Sequence, residues 1–503
     1  MELVYLWVEE YKNIKEQGFN FSPRFKCNYN PDTKELTIDE NDDYVSIFPE
    51  NINITVIVGE NGSGKSNLLE ILFSGNLFVI KHFCMLIKKD TKYILYSVSI
   101  ETNESTKKFK EYTIDSNVKH YSFNLGELET LSDNIKDFST IFYSTSTLVK
   151  AIRENSYIKN THNLALFENQ YYHNYKIQQT QNVIAMIKNN VIFEQLFELP
   201  KMFTISSKTK DKNIYENIML HINNKSDLID KTTRDKFLLA CKKLSSKHRE
   251  SEKHLQFWGS NINDLHENFI NYYQKIVEQT KSDFLFFEFH PNLSTGQETY
   301  LYQFASFYNA LKKEINNDIV FCIDEGESTM HPNWQRQYIK YLTDFLSSNF
   351  TDKNIQIILT SHSPFLLSDL QKENVIFLEK YKKDEDKNQK EGNCKVLKDG
   401  IKKQTFGANI HTLLSDGFFM SDGLMGEFAK QTINKIIEDL KNDNYKPQKE
   451  EKERVFKIIQ TIGEPFLKQK LLDMYYKKFD KEARKKELEK EKARIEEELK
   501  KYD

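Results

Sequence analysis

Gly59-Glu60-Asn61-Gly62-Ser63-Gly64-Lys65-Ser66 satisfies every fixed position of G-x-x-x-x-G-K-[ST]. A loop of this composition wraps closely enough for successive backbone N–H groups to point inward at a phosphate. A helix starting there adds its partial positive charge. Lys65 is then placed to pair with β- and γ-phosphate oxygens, and the Ser66 hydroxyl to ligate Mg2+. Ile319-Val320-Phe321-Cys322-Ile323-Asp324-Glu325 is an apolar run ending in two carboxylates. Asp324 suits a metal held through water, and Glu325 suits orienting or deprotonating an attacking water. A core strand that merely ends in acidic surface residues has the same letters. Leu293-Ser294-Thr295-Gly296-Gln297-Glu298 sets a serine and a glycine at a helix start. That is either an anion site or an ordinary N-cap, and the hexapeptide alone favours the cap. His362, in Thr360-Ser361-His362-Ser363-Pro364, follows an apolar run and is placed to donate to a γ-phosphate oxygen. A lone histidine is more often a satisfied core or surface residue.

These residues need strands that end, and helices that begin, at one place. Ile52–Val58 reads as the strand before the glycine loop and Ser66–Phe73 as the helix after it. Leu3–Val8, Ile141–Tyr143, Phe284–Phe289, Ile319–Ile323 and Gln356–Leu359 read as further strands, and Glu298–Ile315 and Trp334–Leu346 as helices. From about 150 to 280 the pattern is one of long polar helices, with Val183, Met186, Ile187 and Val191 at helical spacing. Past Phe406 the chain is helical again and closes on a charged tail. With only 16 glycines in 503 residues, about half the usual share, glycines that cluster serve a backbone need.

In chain order, the phosphate loop at 59, L-S-T-G-Q at 293, the D-E strand at 324 and the strand-end histidine at 362 resemble the ATP-binding-cassette ATPases, with their Walker A, signature, Walker B and switch-histidine elements. Transporter cassettes separate loop and signature by roughly a hundred residues, whereas Lys65 and Ser294 lie 229 apart (294 − 65). The long spacing resembles the soluble branch of chromosome-maintenance, RecF-like and overcoming-lysogenization-type ATPases, which place an insert between the cassette halves. Asp324-Glu325-Gly326-Glu327-Ser328-Thr329-Met330-His331-Pro332, followed by Trp334 and Gln335, looks like that branch's D-E-P-E-x-x-L-H-P-x-x-Q. Thr360–Leu370 and the opening Tyr11-Lys12-Asn13-Ile14 are similar too. The resemblance covers about 1–150 and 284–415. Gly326 stands where the family has Pro, an exchange expected to be harmless. The Q-loop position reads Ile141-Phe142-Tyr143-Ser144-Thr145, with hydroxyls instead of glutamine, so no Q-loop residue is assigned.

The fold expected from this resemblance is α/β, a P-loop NTPase of the cassette type. Its parts are an N-terminal lobe over 1–150, a helical insert over 151–283, a C-terminal cassette part over 284–415 and a helical extension over 416–503. The resemblance implies ATP and Mg2+ as cofactors. Asn61, Gly62, Ser63, Gly64, Lys65, Ser66 and Asn67 would hold the nucleotide, Ser66 and Asp324 the metal, and Glu325 and His362 the catalysis. It also implies a head-to-tail dimer or higher oligomer, with Ser294, Gly296 and Gln297 acting on the nucleotide of the other copy. Phe406–Leu414 and Asp422–Phe428 look like the C-terminal portion of stand-alone anti-phage ATPases of the Septu and retron-associated types, which act with a separate nuclease subunit. The implied role is sensor or regulator of that nuclease. The alternatives are a RecF-like repair ATPase acting on DNA ends and a slowly hydrolysing, nucleotide-locked scaffold.

A nuclease within this chain has little support. Asp384-Glu385-Asp386 has TOPRIM letters but sits in a charged run and reads as a solvated hairpin tip. Ser207–Lys253 holds twelve basic and seven acidic residues. A solvated helix face accounts for them better than phosphate contacts, because no aromatic pattern accompanies the charges, and nucleic acid stays open as a partner. Leu488, Ile495 and Tyr502, one apolar position per heptad, are too thin a seam for a strong coiled coil. Val455, Ile458, Ile459 and Ile462, with Leu467, Leu471 and Leu472, form apolar faces for a core or a dimer interface. The 71 basic and 74 acidic residues nearly cancel, which excludes a surface that is polyanion-binding throughout. Five scattered cysteines, a charged N-terminus and an apolar run over Asn76–Ile87 broken by Lys81 and His82 point to a reducing cytoplasm and away from a membrane.

Overall fold

The computed structural model describes residues 1–33, 35–74, 82–90, 92–99, 118–123, 139–144, 161–163, 172–189, 191, 200, 202–207, 213–245, 254–258, 267–290, 292–397, 404–411, 413, 425–480 and 489. Thr145, much of the C-terminal match around 414–424 and nearly all of the charged tail lie outside them.

Ile52–Gly59 alternates Ile54, Val56 and Val58 against Ile57, and all four side chains are buried, so both faces of this strand must be covered. It lies inside a seven-stranded sheet in the order 161–163, 139–144, 318–324, 354–360, 52–59, 375–380, 394–396. Every pairing is parallel except the last. One face of the sheet packs Ile54, Val56, Phe321, Ile357 and their neighbours under the helices Tyr172–Lys188, Thr295–Lys313 and Tyr338–Asn349. The other face presents Ile57, Val320, Cys322 and Ile358 to Leu68, Leu69, Ile71 and Leu72 of the helix Lys65–Ser74. That helix is closed in by a second, five-stranded sheet, ordered 14–20, 2–11, 82–89, 92–99, 118–123, through Leu3, Leu6, Phe83 and Met85. The result is the α/β architecture expected of a P-loop NTPase. Helix Lys65–Ser74 is short, and burying three or four of its aliphatic side chains, at about 1.5–3 kcal/mol each, holds its start in place.

The segment read as helical over 151–283 also carries strands. Met202–Ser207 pairs antiparallel with His254–Trp258 on one side and with Leu285–His290 on the other. These runs are five or six residues long and their partners are distant in sequence, so local periodicity underrates them. The helix expected over Trp334–Leu346 is two helices, Pro332–Gln335 and Tyr338–Asn349, because the Gln335 side chain turns inward to the carbonyls of Glu327 and Met330.

Contacts divide the chain into Met1–Phe419 and Met420–Asp503. The second unit packs the helices Glu427–Lys441, Lys449–Gln460 and Pro465–Phe479 around Ile433, Ile436, Leu440, Val455, Ile459, Leu471, Leu472 and Tyr476. Its two predicted apolar faces therefore form a core. Among the described residues no helix is long and apolar enough to cross a membrane.

Gly326 is more than a harmless replacement of proline. A Cβ there would lie 2.6 Å from the Tyr338 hydroxyl, 2.7 Å from Gln303 Nε2 and 2.7 Å from Ile323 Cγ2. These groups are fixed in the core, and Gln303 Nε2 donates to Gly326 O at 3.2 Å. Gly326→Ala should therefore lower stability by about 1–3 kcal/mol in urea unfolding, the usual effect of overpacking. Wild-type stability would show that Tyr338 and Gln303 shift freely.

Candidate functional site

The register of the parallel sheet sets Ser144, Asp324, Thr360 and Ile57 in one row across four neighbouring strands. Asp324 is buried, and its carboxyl collects three hydroxyls. Thr360 Oγ1 donates to Oδ1 at 2.6 Å, Ser66 Oγ to Oδ1 at 3.2 Å and Ser144 Oγ to Oδ2 at 3.2 Å. Burial raises the Asp324 pKa, while the three hydroxyls favour the ionised form.

The phosphate loop leaves the neighbouring strand at Gly59, where a Cβ would meet Leu378 O at 2.1 Å and Ser63 Oγ at 2.7 Å. Gly62 and Gly64 have φ of +78° and +108°, the region that glycine enters without strain. Lys65 is buried, and its ammonium donates to Gly59 O at 2.8 Å and Glu60 O at 3.0 Å. Burial lowers its pKa, against the opposing pull of Glu325, Asp324 and Glu60. Ser63 Oγ is buried with no partner among the described residues. Asn61 is exposed, and Asn67 Nδ2 donates to Asn13 Oδ1 at 2.7 Å. Asn13 Nδ2 in turn donates to Gly62 O at 2.9 Å, bracing the loop from the first hairpin. The first turn of the helix Lys65–Ser74 holds no acidic side chain of its own. A buried hydroxyl without a partner among the described residues, an ammonium that donates to loop carbonyls and the Ser66–Asp324 oxygen pair together fit a phosphate group and a divalent cation.

Glu325 follows the carboxylate strand with φ of +50°, a backbone state that costs a non-glycine residue about 1–3 kcal/mol. Its N–H is held by Thr360 O at 3.2 Å and Thr360 Oγ1 at 3.1 Å. Its Oε1 lies 3.3 Å from His362 Nε2. The His362 hydrogen bond first, with the charges of His362 and Lys65 behind it, holds the Glu325 pKa below the usual carboxylate range. Both side chains are partly exposed, so a water can reach them.

Ser294, Gly296 and Gln297 are not gathered into this cluster. Ser294 caps the helix Thr295–Lys313 in a capping box: Gln297 N donates to Ser294 Oγ at 3.3 Å and Ser294 N to Gln297 Oε1 at 2.8 Å. Gly296 faces Trp334, whose ring would lie 3.3 Å from a Cβ. Asp384, Glu385 and Asp386 are exposed at the tip between the antiparallel strands Val375–Lys380 and Cys394–Val396, with Glu385 paired to Lys395 at 2.5 Å, in keeping with a solvated hairpin.

Asn13, Ser144, Thr360, Ser361, Gln335 and Glu327 were not singled out as site residues from sequence. Glu327 is 2% exposed, accepts from Ser361 Oγ, and has an Oε2 without a partner among the described residues. Its signal lay inside the quoted D-E-G-E run.

Burial pushes the Glu327 carboxyl up to about 7 from an ordinary 4.5. The folded chain thus favours its protonated form. Its contribution to stability is full below pH 4.5, falls as the pH rises from there to about 7, and is flat beyond. The stability of the wild type relative to Glu327→Gln should drop on the order of 3 kcal/mol between pH 4.5 and 7.5 in urea unfolding. A pH-independent difference would mean that the carboxyl titrates alike in both states.

No curated protein matches the chain at a significant level. A family model described as "AAA domain, putative AbiEii toxin, Type IV TA system" matches residues 54–368, a span that includes the phosphate loop, the capped helix start, the carboxylate strand and His362. With more than half of its length matched and a parallel sheet that ends in this cluster, the chain belongs to that AAA-domain family and is a P-loop ATPase.

Proposed function

We propose that the chain binds ATP with Mg2+ at the phosphate loop, hydrolyses it with Glu325 as general base, and uses its nucleotide state to control a separate nuclease in antiviral defence. The observation carrying the ATPase part is the row Ser144–Asp324–Thr360–Ile57, which brings Lys65, Ser66, Asp324, Glu325 and His362 to the carboxyl ends of neighbouring parallel strands. Backbone N–H groups of 61–67 cradle the phosphates, and Lys65 exchanges the carbonyls of Gly59 and Glu60 for phosphate oxygens. Ser66 and Asp324 would hold Mg2+, which supplies charge neutralisation to the phosphates. Glu325, ionised and within reach of solvent, takes the proton of an attacking water, and His362 steadies it and faces the γ-phosphate.

The anion-binding helix start at Ser294–Gln297 completes the site of a second copy in a head-to-tail dimer. The support is the exposure of Ser294 and Thr295 and the 229 residues (294 − 65) that separate Ser294 from Lys65 in the sequence. The family description's mention of a toxin of a Type IV TA system and the resemblance to Septu-type ATPases support the defence role.

Lys65→Ala should abolish ATP binding in calorimetry, since it removes the one side-chain cation of the 59–67 cradle. Glu325→Gln should keep ATP affinity and lose turnover on the order of a hundredfold or more. Unchanged ATP affinity in the first variant, or wild-type turnover in the second, would sink the site assignment. Cells carrying the chain with its flanking genes should lose phage protection on Lys65→Ala.

Ser294→Arg should leave ATP binding intact and stop hydrolysis, because the bulky cation blocks closure onto the other subunit. Mixing it with Lys65→Ala should restore part of the activity, since one composite site then carries neither change. Wild-type hydrolysis in Ser294→Arg would reduce the motif to a helix cap and remove the dimer.

A further inference from the structure

The residues on both sides of His362 are tied to the turn that follows Glu325. Ser361 Oγ donates to Glu327 Oε1 and accepts from Ser363 N at 2.8 Å. Ser363 Oγ donates to Gln335 Oε1 at 2.8 Å. Gln335 Nε2 reaches back to Met330 O at 3.0 Å and Glu327 O at 3.4 Å. Ser361 N also donates to Ile57 O at 3.2 Å, joining the arrangement to the strand before the phosphate loop. Only His362, between the two clamped serines, reaches outward to Glu325.

We propose that Glu327 is a positioning residue for hydrolysis: its carboxyl grips Ser361 while Gln335 grips Ser363, and together they fix His362 against Glu325. The proposal rests on the reading of Glu325 and His362 as the hydrolytic pair. A carboxyl this deeply buried is a costly way to fill space, and an apolar side chain would fill it at lower cost. What the carboxyl adds is an acceptor aimed at a fully buried serine hydroxyl. Burial raises its pKa, which weakens the negative charge set beside Glu325 while the acceptor is kept.

The experiment measures kcat, KM and ATP affinity of the full chain carrying Glu327→Ala, Glu327→Gln, Ser361→Ala or Glu325→Gln. Glu327→Ala and Ser361→Ala should each lower kcat by about tenfold or more with ATP affinity within about threefold of wild type. A chain carrying both Glu327→Ala and Ser361→Ala should be little worse than either single variant, because both remove one interaction. Glu327→Gln, whose amide carbonyl can still accept from Ser361, should stay within about threefold of wild-type kcat. The role is overturned if Glu327→Ala or Ser361→Ala turns over at the wild-type rate, if affinity falls in step with kcat, or if Gln is as poor as Ala. Should Glu327→Ala fail to fold by circular dichroism, Ser361→Ala, which removes a single oxygen, decides the matter together with Glu327→Gln. A wild type without ATPase activity, or an active Glu325→Gln, sinks the underlying reading. An inactive Glu325→Gln beside fully active Glu327→Ala and Ser361→Ala sinks only the role of Glu327.

Discussion

The buried carboxyl of Asp324 governs this structure. It ends a strand whose five preceding residues are all apolar and all buried, so desolvation opposes its charge. The compensation is three hydroxyls, one each from the neighbouring strands at Ser144 and Thr360 and one from the helix start at Ser66. Each arrives only if its own element is in register. A one-residue slip of Asn354–Thr360 that brought Leu359 into the row would turn Thr360 to the opposite face and replace its hydroxyl with an aliphatic side chain. The hydroxyl row is thus a register check as well as the floor of a site.

The same constraint explains how two distant stretches of sequence make one site. The parallel strands all deliver their carboxyl ends to one edge, and because Asn354–Thr360 lies between Asp318–Asp324 and Ile52–Gly59, His362 emerges between the carboxylates and the loop. Glu325 then adopts φ of +50° and is held there by both oxygens of Thr360. The residue that positions Asp324 therefore also positions Glu325. On the loop side Lys65 rests on carbonyls of its own loop, which keeps a buried cation satisfied and gives it partners that an anion can displace.

What was legible from sequence divides along physical lines. The loop 59–66 needs glycine at particular φ values and a lysine at one place, so its chemistry is written in residue types. Apolar strands buried on both faces announce themselves through continuous runs such as Ile319–Ile323. Ser144, Thr360 and Glu327 are ordinary polar residues whose roles arise only from cross-strand register and burial, which one-dimensional spacing does not carry. The strands Met202–Ser207 and His254–Trp258 were hidden for a related reason, since each finds its partner across a long gap. The Gly326 position is a neutral departure by motif alone, whereas in the fold Tyr338 and Gln303 fill the space where a side chain would be.

Those two residues also connect the helix start at Ser294 to the carboxylates. The helix Thr295–Lys313 is buried along most of Tyr300–Leu311. From it, Gln303 donates to Gly326 O and to the Tyr338 hydroxyl, while Gly296 at its tip rests against Trp334, in the short helix that follows the Glu325–Glu327 turn. The helix therefore touches both the turn that carries Glu325 and Glu327 and the short helix that follows it. Within one chain, the hydrogen bonds of Gln303 are a path from the helix that starts after Ser294 to the turn that carries Glu325. The phosphate loop is outside this path, braced instead by Asn13 from the first hairpin. The loop and the carboxylate turn thus have braces of their own, and they meet where Ser66 Oγ donates to Asp324 and Ser361 N to Ile57 O.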